Sequence, residues 1–219
     1  MLPLKRNTKL EDAQSNFATA GTPAVPIGDL LAHHAKRNPA RPAVTHDDVT
    51  TSYAELEARA NRRARQLAAL GVGEGDVVTL AAPKGLEYYE LLFAIWKLGA
   101  TPNNVSSALP AAELKAIVEL ANPRLIVGEE HARIAGWDFL AVGTSPSEDF
   151  SADPLPSKTP ARWKIMTSGG STGRPKLIVD RKPGTHDPGQ APLGQRVGDT
   201  MLNPGPLYHN TPFVAVTYT

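Results

Sequence analysis

The chain contains no cysteine. Disulfides and thiolate-held metal sites are therefore excluded, and the composition fits a reducing compartment. A charge of one sign is also missing: 23 Lys and Arg face 22 Asp and Glu, for a net charge of +1. So even a balance gives no electrostatic case for nucleic acid or an anionic membrane as the main partner. There is no apolar run long enough to cross a bilayer. The longest, near Leu91 to Leu98, is short and broken by Lys97. The first residues carry Lys5, Arg6, Lys9, Glu11 and Asp12 around no apolar segment, so no targeting signal is read there. His33, His34, His46, His131 and His186 stand at no metal-ligand spacing with carboxylates or each other. What these absences leave is a soluble, cytoplasmic protein of one or two domains.

Proline, by contrast, is plentiful. More than half of the 20 prolines lie after residue 140, which makes the last third loop-rich. Before that point the pattern is regular. Residues 1–25 lack periodicity and read as an arm. A helix is expected after Pro26, with Leu30, Leu31 and Ala35 on its apolar face and Pro39 as its stop. Arg41–Val44 and Val49–Thr51 read as a hairpin turned by Asp47 and Asp48. Ser52 and Glu55 have capping-box spacing, and Leu56, Ala60, Ala64, Leu67 and Leu70 follow at helical spacing until Gly71. Val77–Leu80 reads as a strand. Leu86–Leu98 reads as a helix, with Tyr89, Leu92, Phe93 and Trp96 as its buried stripe. Ala100–Asn103 reads as a short strand. A helix opening at Pro110 ends before Pro123, and Leu125–Val127 follows as a strand. Strands alternating with helices of this length predict an α/β fold with a mostly parallel sheet. Trp137–Val142, Trp163–Met166 and Lys176–Val179 read as further strands, and Asp180–Asp199 as a polar, mobile segment. Arg59, Arg62, Arg63 and Arg65 are expected on the solvent side of their helix, near Glu55 and Glu57.

Between the last two strands lies Thr167-Ser168-Gly169-Gly170-Ser171-Thr172-Gly173-Arg174-Pro175-Lys176. Three glycines free the backbone to turn several N–H groups toward one point, as a nest for phosphate oxygens. Ser168, Ser171 and Thr172 add hydroxyls, and Lys176 adds a positive charge. The string is not a Walker A loop, because Gly173 is followed by Arg174 and Pro175 rather than by Lys and a hydroxyl residue. It is not a dinucleotide fingerprint either, because no helix follows it.

The string resembles the signature of the adenylate-forming superfamily, Thr-Ser-Gly-Thr-Thr-Gly-x-Pro-Lys. Gly170, Thr172, Gly173, Pro175 and Lys176 match it, Ser168 and Ser171 stand for threonines, and Gly169 stands for serine. The segments 51–56, 72–78, 94–100 and Pro206-Leu207-Tyr208-His209 resemble further parts of the same family, in the same order. The resemblance implies the N-terminal portion of an acyl-CoA synthetase-like fold, with a mixed, mostly parallel sheet flanked by helices. It implies an arm over 1–25 and a partial AMP-binding domain over 26–219, with the family's later motifs and small C-terminal domain lying beyond Thr219. The fragment alone is expected to bind ATP poorly and to be inactive.

The implied activity is that of an AMP-forming carboxylic acid–CoA ligase. It uses ATP, Mg2+ and coenzyme A, and it acts on a small-molecule acid. Thr167, Ser168, Gly169, Gly170, Ser171, Thr172, Gly173 and Lys176 are implied to cradle the ATP phosphates. His209, with Tyr208, Asn210 and Phe213, is implied to line the acyl pocket; read without the resemblance, His209 is a structural histidine at a strand end. The Ser-Gly-Gly-Ser-Thr-Gly variant resembles that of ligases for bulky acids such as bile acids. An adenylation domain that loads a carrier protein and a non-catalytic nucleotide-binding module of the same fold are the alternatives. A homo-oligomer is compatible with either.

Overall fold

Strands and helices alternate through a computed structural model that describes residues 23–168, 175–190 and 199–218. The elements run β1 (Val25–Pro26), a 3-10 turn, α1 (Leu30–Arg37), β2 (Pro42–His46), β3 (Val49–Ser52), α2 (Tyr53–Ala69), β4 (Val77–Ala81), α3 (Leu86–Lys97) and β5 (Thr101–Asn104). They continue with α4 (Ala111–Ala121), β6 (Leu125–Gly128), β7 (Asp138–Ala141), β8 (Lys164–Ser168), β9 (Lys176–Asp180), β10 (Thr185–His186) and α5 (Asn210–Ala215).

Local chemistry explains the best-defined boundaries. At the start of α2, the Glu55 amide donates to Ser52 Oγ at 3.3 Å and the Ser52 amide donates to Glu55 Oε2 at 2.8 Å. This reciprocal cap satisfies two amides that the helix itself cannot. Leu56, Ala60, Ala64 and Leu67 then bury one face. Gly71, at φ +84°, takes the left-handed turn after the helix, and its carbonyl and that of Leu70 accept from Arg124. α4 ends at Asn122, also left-handed with φ 43°, just before Pro123.

The main sheet has the order β7-β6-β4-β5-β8-β9, parallel throughout except for the antiparallel pair β8–β9. Pro102 sits inside β5, yet the ladder to β8 begins only at Asn103, so no bond to β8 is asked of the missing Pro102 amide. Alternate residues serve two layers. Val78, Leu80, Leu125 and Val127 face the α1–α2–α3 side, where Trp96, Phe93 and Tyr88 are fully covered. Ala81 and Ile126 face α4, through Leu114, Ile117 and Val118. Two small pairs, β2–β3 and β1–β10, stand apart from this sheet.

The structure corrects the reading of the arginines. Arg63 is not on the solvent side of α2; its side chain is only 4% exposed. It donates to Glu87 at 3.1 Å, to Gln66 at 2.8 Å and to the Thr144 carbonyl at 2.5 Å, and lies 3.6 Å from Glu90. Glu57 pairs not with an arginine but with buried Lys97, at 2.8 Å. The spacing along α2 conceals this, because the acceptors come from α3 and from the connection near Thr144.

Candidate active site

Ligands of open α/β sheets bind outside the carboxyl ends of the parallel strands, where the chain reverses its direction across the sheet. Here β4 to β8 are parallel, so Ala81, Asn104, Gly128, Ala141 and Ser168 end along one edge. From β4 the chain passes through α3 to β5, then returns through α4 to β6 on the other side of β4. The glycine-rich loop leaves this edge at Ser168 and re-enters the sheet at Lys176.

The two flanks of the loop face each other. Ser168 pairs with Lys176 and Thr167 with Leu177 in the β8–β9 ladder, so the loop is a strand–strand connection, as its sequence predicts. Ser168 Oγ lies 3.5 Å from the Lys176 carbonyl, at the limit of a hydrogen bond. Thr167 Oγ1 is covered and has no hydrogen-bond partner among the described residues. Lys176 is exposed and makes no ion pair among the described residues. A hydroxyl and an ammonium group thus flank the loop on opposite faces of the hairpin, neither with a partner among the described residues. Gly169, Gly170, Ser171, Thr172 and Gly173 lie outside the described residues.

The expected acyl-pocket residues fall on one segment that is pinned across the sheet. The Asn203 side chain donates to the Pro212 carbonyl at 2.8 Å, and Lys84, from the loop after β4, donates to the Asn203 carbonyl. Lys164 on β8 donates to Asn210 Oδ1. Burial pulls the Lys164 pKa down, partly offset by the carboxylate of Asp180, its partner in the ladder. His209 is exposed and precedes α5 as its N-cap residue, not at a strand end, and makes no side-chain capping bond. Its ring lies 4.6 Å from that of Tyr208.

Phe213 is fully buried. Its ring is packed edge-on against Trp96 at 5.8 Å and tilted against Trp163 at 5.6 Å. It packs α5 against α3 and the start of β8, while His209 and Asn210 are exposed and Tyr208 is half-buried. The sequence reading missed Lys84 and Lys164, because their partners are backbone or amide groups more than forty residues away, and it missed Asn203, whose side chain meets the Pro212 carbonyl nine residues on; local spacing carries no sign of them.

Two clefts lie elsewhere. One of about 540 Å3 is lined by Arg59, Arg62, Arg63, Glu90 and Glu148, and one of about 330 Å3 opens over Glu57 and Lys97. Neither is lined by residues of the loop or of 208–213. Among the described residues no three His, Asp or Glu side chains gather as a metal site, and no helix is long and apolar enough to cross a membrane.

The same stretch of chain is shared with known proteins. The chain is 31% identical over 165 residues to the isonitrile lipopeptide synthase of Streptomyces coeruleorubidus, covering 71% of this chain and 11% of that protein. It is 31% identical over 183 residues to the 2,3-dihydroxybenzoate-AMP ligase of Bacillus subtilis (strain 168), covering 74% of this chain and 33% of that one. The chain therefore spans a third or less of the length of these relatives. Among solved structures, the inhibitor-bound N-terminal domain of FACL13 from Mycobacterium tuberculosis matches with a TM-score of 0.74 and 25% identity, over 89% of this chain and 54% of that chain. The pattern of the AMP-binding enzymes runs from residue 31 to 219. With that match, the strand–loop–strand hairpin and the order of the sheet agree: the chain belongs to the AMP-binding enzyme family and has the fold of its N-terminal domains.

Proposed function

We propose that this chain is the phosphate-gripping part of an ATP-dependent carboxylic acid–CoA ligase. In this reading the acid attacks the α-phosphate of ATP, pyrophosphate leaves, and the acyl group passes from the adenylate to the thiol of coenzyme A. Thr167, Ser168, Gly169, Gly170, Ser171, Thr172, Gly173 and Lys176 hold the β- and γ-phosphates. Their donors stand where negative charge collects on the leaving group, and such preorganised donors lower the barrier. Magnesium, carried in on the nucleotide, would neutralise part of the same charge. The observation that carries the reading is the pair of loop flanks. Among the described residues Thr167 Oγ1 has no partner and Lys176 makes no ion pair, and both lie at the carboxyl edge of the sheet.

His209 and Tyr208 are placed by this reading beside the reacting carboxyl. Coenzyme A is favoured as acceptor by the resemblance of Pro206-Leu207-Tyr208-His209 to acyl-CoA ligases. A second reading, transfer to a carrier protein, is favoured by the curated relatives, one of which is a lipopeptide synthase. The test starts from the product of the whole reading frame, given ATP, magnesium and a panel of carboxylic acids. Acid-dependent pyrophosphate release, with trapping of the acyl group as a hydroxamate, is expected. Supplying coenzyme A and a phosphopantetheinylated carrier protein separately then identifies the acceptor. No pyrophosphate release with any acid, alongside tight ATP binding, would replace this reading with that of a non-catalytic nucleotide-binding module.

A further inference from the structure

β8 opens on an unusual residue for the inside of a sheet. Lys164 is only 6% exposed, on a strand between β5 and β9. A buried ammonium group is costly unless it is bonded. Its surroundings direct it to one partner. The Trp163 ring lies 4.0 Å from Nζ and the Phe213 ring 5.8 Å, which walls the amine in. Asp180, opposite it in the β8–β9 ladder, already accepts from the Lys182 amide at 3.1 Å and from Trp163. Lys164 donates to Oδ1 of Asn210. Asn210 is exposed and follows His209 directly. The other tie of this segment, from Lys84 to Asn203, uses a backbone carbonyl that any residue would offer. The Lys164–Asn210 bond depends on both side chains.

The bond also selects a face. Side chains alternate along a strand, so Lys164, Met166 and Ser168 share one face of β8. Lys176 pairs with Ser168 and stands on that face too. Met166 lies in the core that holds Trp96, Leu207 and Phe213. The segment that carries Tyr208 and His209 is therefore tied to the face of the hairpin on which Ser168 and Lys176 flank the loop. Rigid placement of groups around reacting partners is worth a large factor in rate, and a shift of about 1 Å can cost roughly a hundred-fold. We propose that Lys164 is a positioning residue of the ligase. Through Asn210 it fixes Tyr208 and His209 against the acid while the loop holds the phosphates. It acts on the segment and not on the reactants. This inference rests on the reading of Tyr208 and His209 as the surroundings of the acid.

Steady-state kinetics of the whole enzyme test this, with pyrophosphate release measured against acid and against ATP. Lys164→Met keeps the length of the stem and removes the donor. Asn210→Ala removes the acceptor from an exposed position and leaves the core intact. Each is expected to lower kcat/KM for the acid by roughly ten-fold to a hundred-fold, with KM for the acid raised and KM for ATP within about two-fold of the original. The double variant should lose no more than either single one, because both break the same bond. A purely structural role leaves another pattern: fewer folded molecules lower kcat and leave both KM values unchanged. That pattern overturns the proposal. So do additive losses in the double variant, or unaltered kinetics in Asn210→Ala. If the unsubstituted enzyme releases no pyrophosphate with any acid, the ligase reading itself fails, and this proposal falls with it.

Discussion

Single side chains set the sharpest expectations. Lys176 is a charged group at the described flank of the loop, and it makes no ion pair among the described residues. If it faces phosphate, Lys176→Ala should slow pyrophosphate release at saturating acid by about ten-fold to a thousand-fold, the range for loss of one electrostatic stabiliser. Release at the original rate would remove Lys176 from the phosphate site. His34 carries a different kind of expectation. Its ring packs against Tyr53 at 5.1 Å and His33 at 5.2 Å. Burial, helped by the charges of His33, Arg37, Arg41 and His186, pulls its pKa from 6.5 to about 4. The unfolded chain therefore takes up the proton at a higher pH than the folded chain does. The stabilisation is complete above pH 6.5 and is lost as the pH falls toward 4. His33 and His186 are also lowered by burial and act in the same direction. Urea midpoints measured across that window should fall with pH, and His34→Gln should flatten the slope. An identical slope in the variant would assign the effect to other groups.

At the scale of elements, what holds α2 and α3 together is partly ionic. Lys97, at the end of α3, donates to Glu57 on α2 at 2.8 Å, with side chains only 4% and 10% exposed. The Asn61 side chain donates to the same Glu57 oxygen at 3.0 Å, and the other oxygen, Oε2, has no partner among the described residues. A pair like this is costly to break from one side, because the remaining charge stays buried. Lys97→Met should destabilise the chain by roughly 3–5 kcal/mol, and Glu57→Leu combined with it should recover most of that loss. Denaturant midpoints of the three variants decide the matter. An unchanged midpoint for Lys97→Met would mean that Glu57 is hydrated in the native state. Elements whose signals are local were legible in the sequence. Ser52 with Glu55, Gly71, and the prolines beside α4 each act within a turn of the residues they govern, and the boundaries of α2 and α4 followed from them. The roles of Arg63 and Glu57 were not legible, since their partners come from other elements. Nor was α5, a helix of six residues with too little periodicity to stand out, or the β1–β10 pair, two residues long on each side.

For the molecule as a whole, alternation of strands and helices was enough to anticipate a mostly parallel sheet, and the order of its strands was not. Nothing in the residues of β6 says that it lies beside β4 rather than beyond β5; that choice depends on α3 and α4 taking opposite faces. The candidate site divides in the same way. The hairpin with the loop between its strands was readable from composition and spacing, while the placing of Phe213 in the core was not, because an apolar residue near a histidine suits a pocket wall and a core equally well. Phe213 therefore separates the two roles by experiment. It is fully buried between Trp96 and Trp163, and Trp96 Nε1 in turn donates to the Trp163 carbonyl at 2.7 Å. Removing the ring empties a space enclosed by α3, β8 and α5, at a cost of roughly 3–5 kcal/mol. In a chain of this size that corresponds to a fall in melting temperature of roughly 6–20 °C. Two of the chain's three tryptophans border the space, so their fluorescence should shift in the folded variant. Phe213→Ala is expected to show these changes, and Phe213→Leu, which refills most of the volume, a smaller fraction of them. A pocket wall would behave in the opposite way: the melting temperature would hardly move, while the preference among acids of different length would change in the whole enzyme. That second pattern would return Phe213 to the acyl site and show that α5 is held to the sheet mainly by the polar contacts of Lys164 and Asn203.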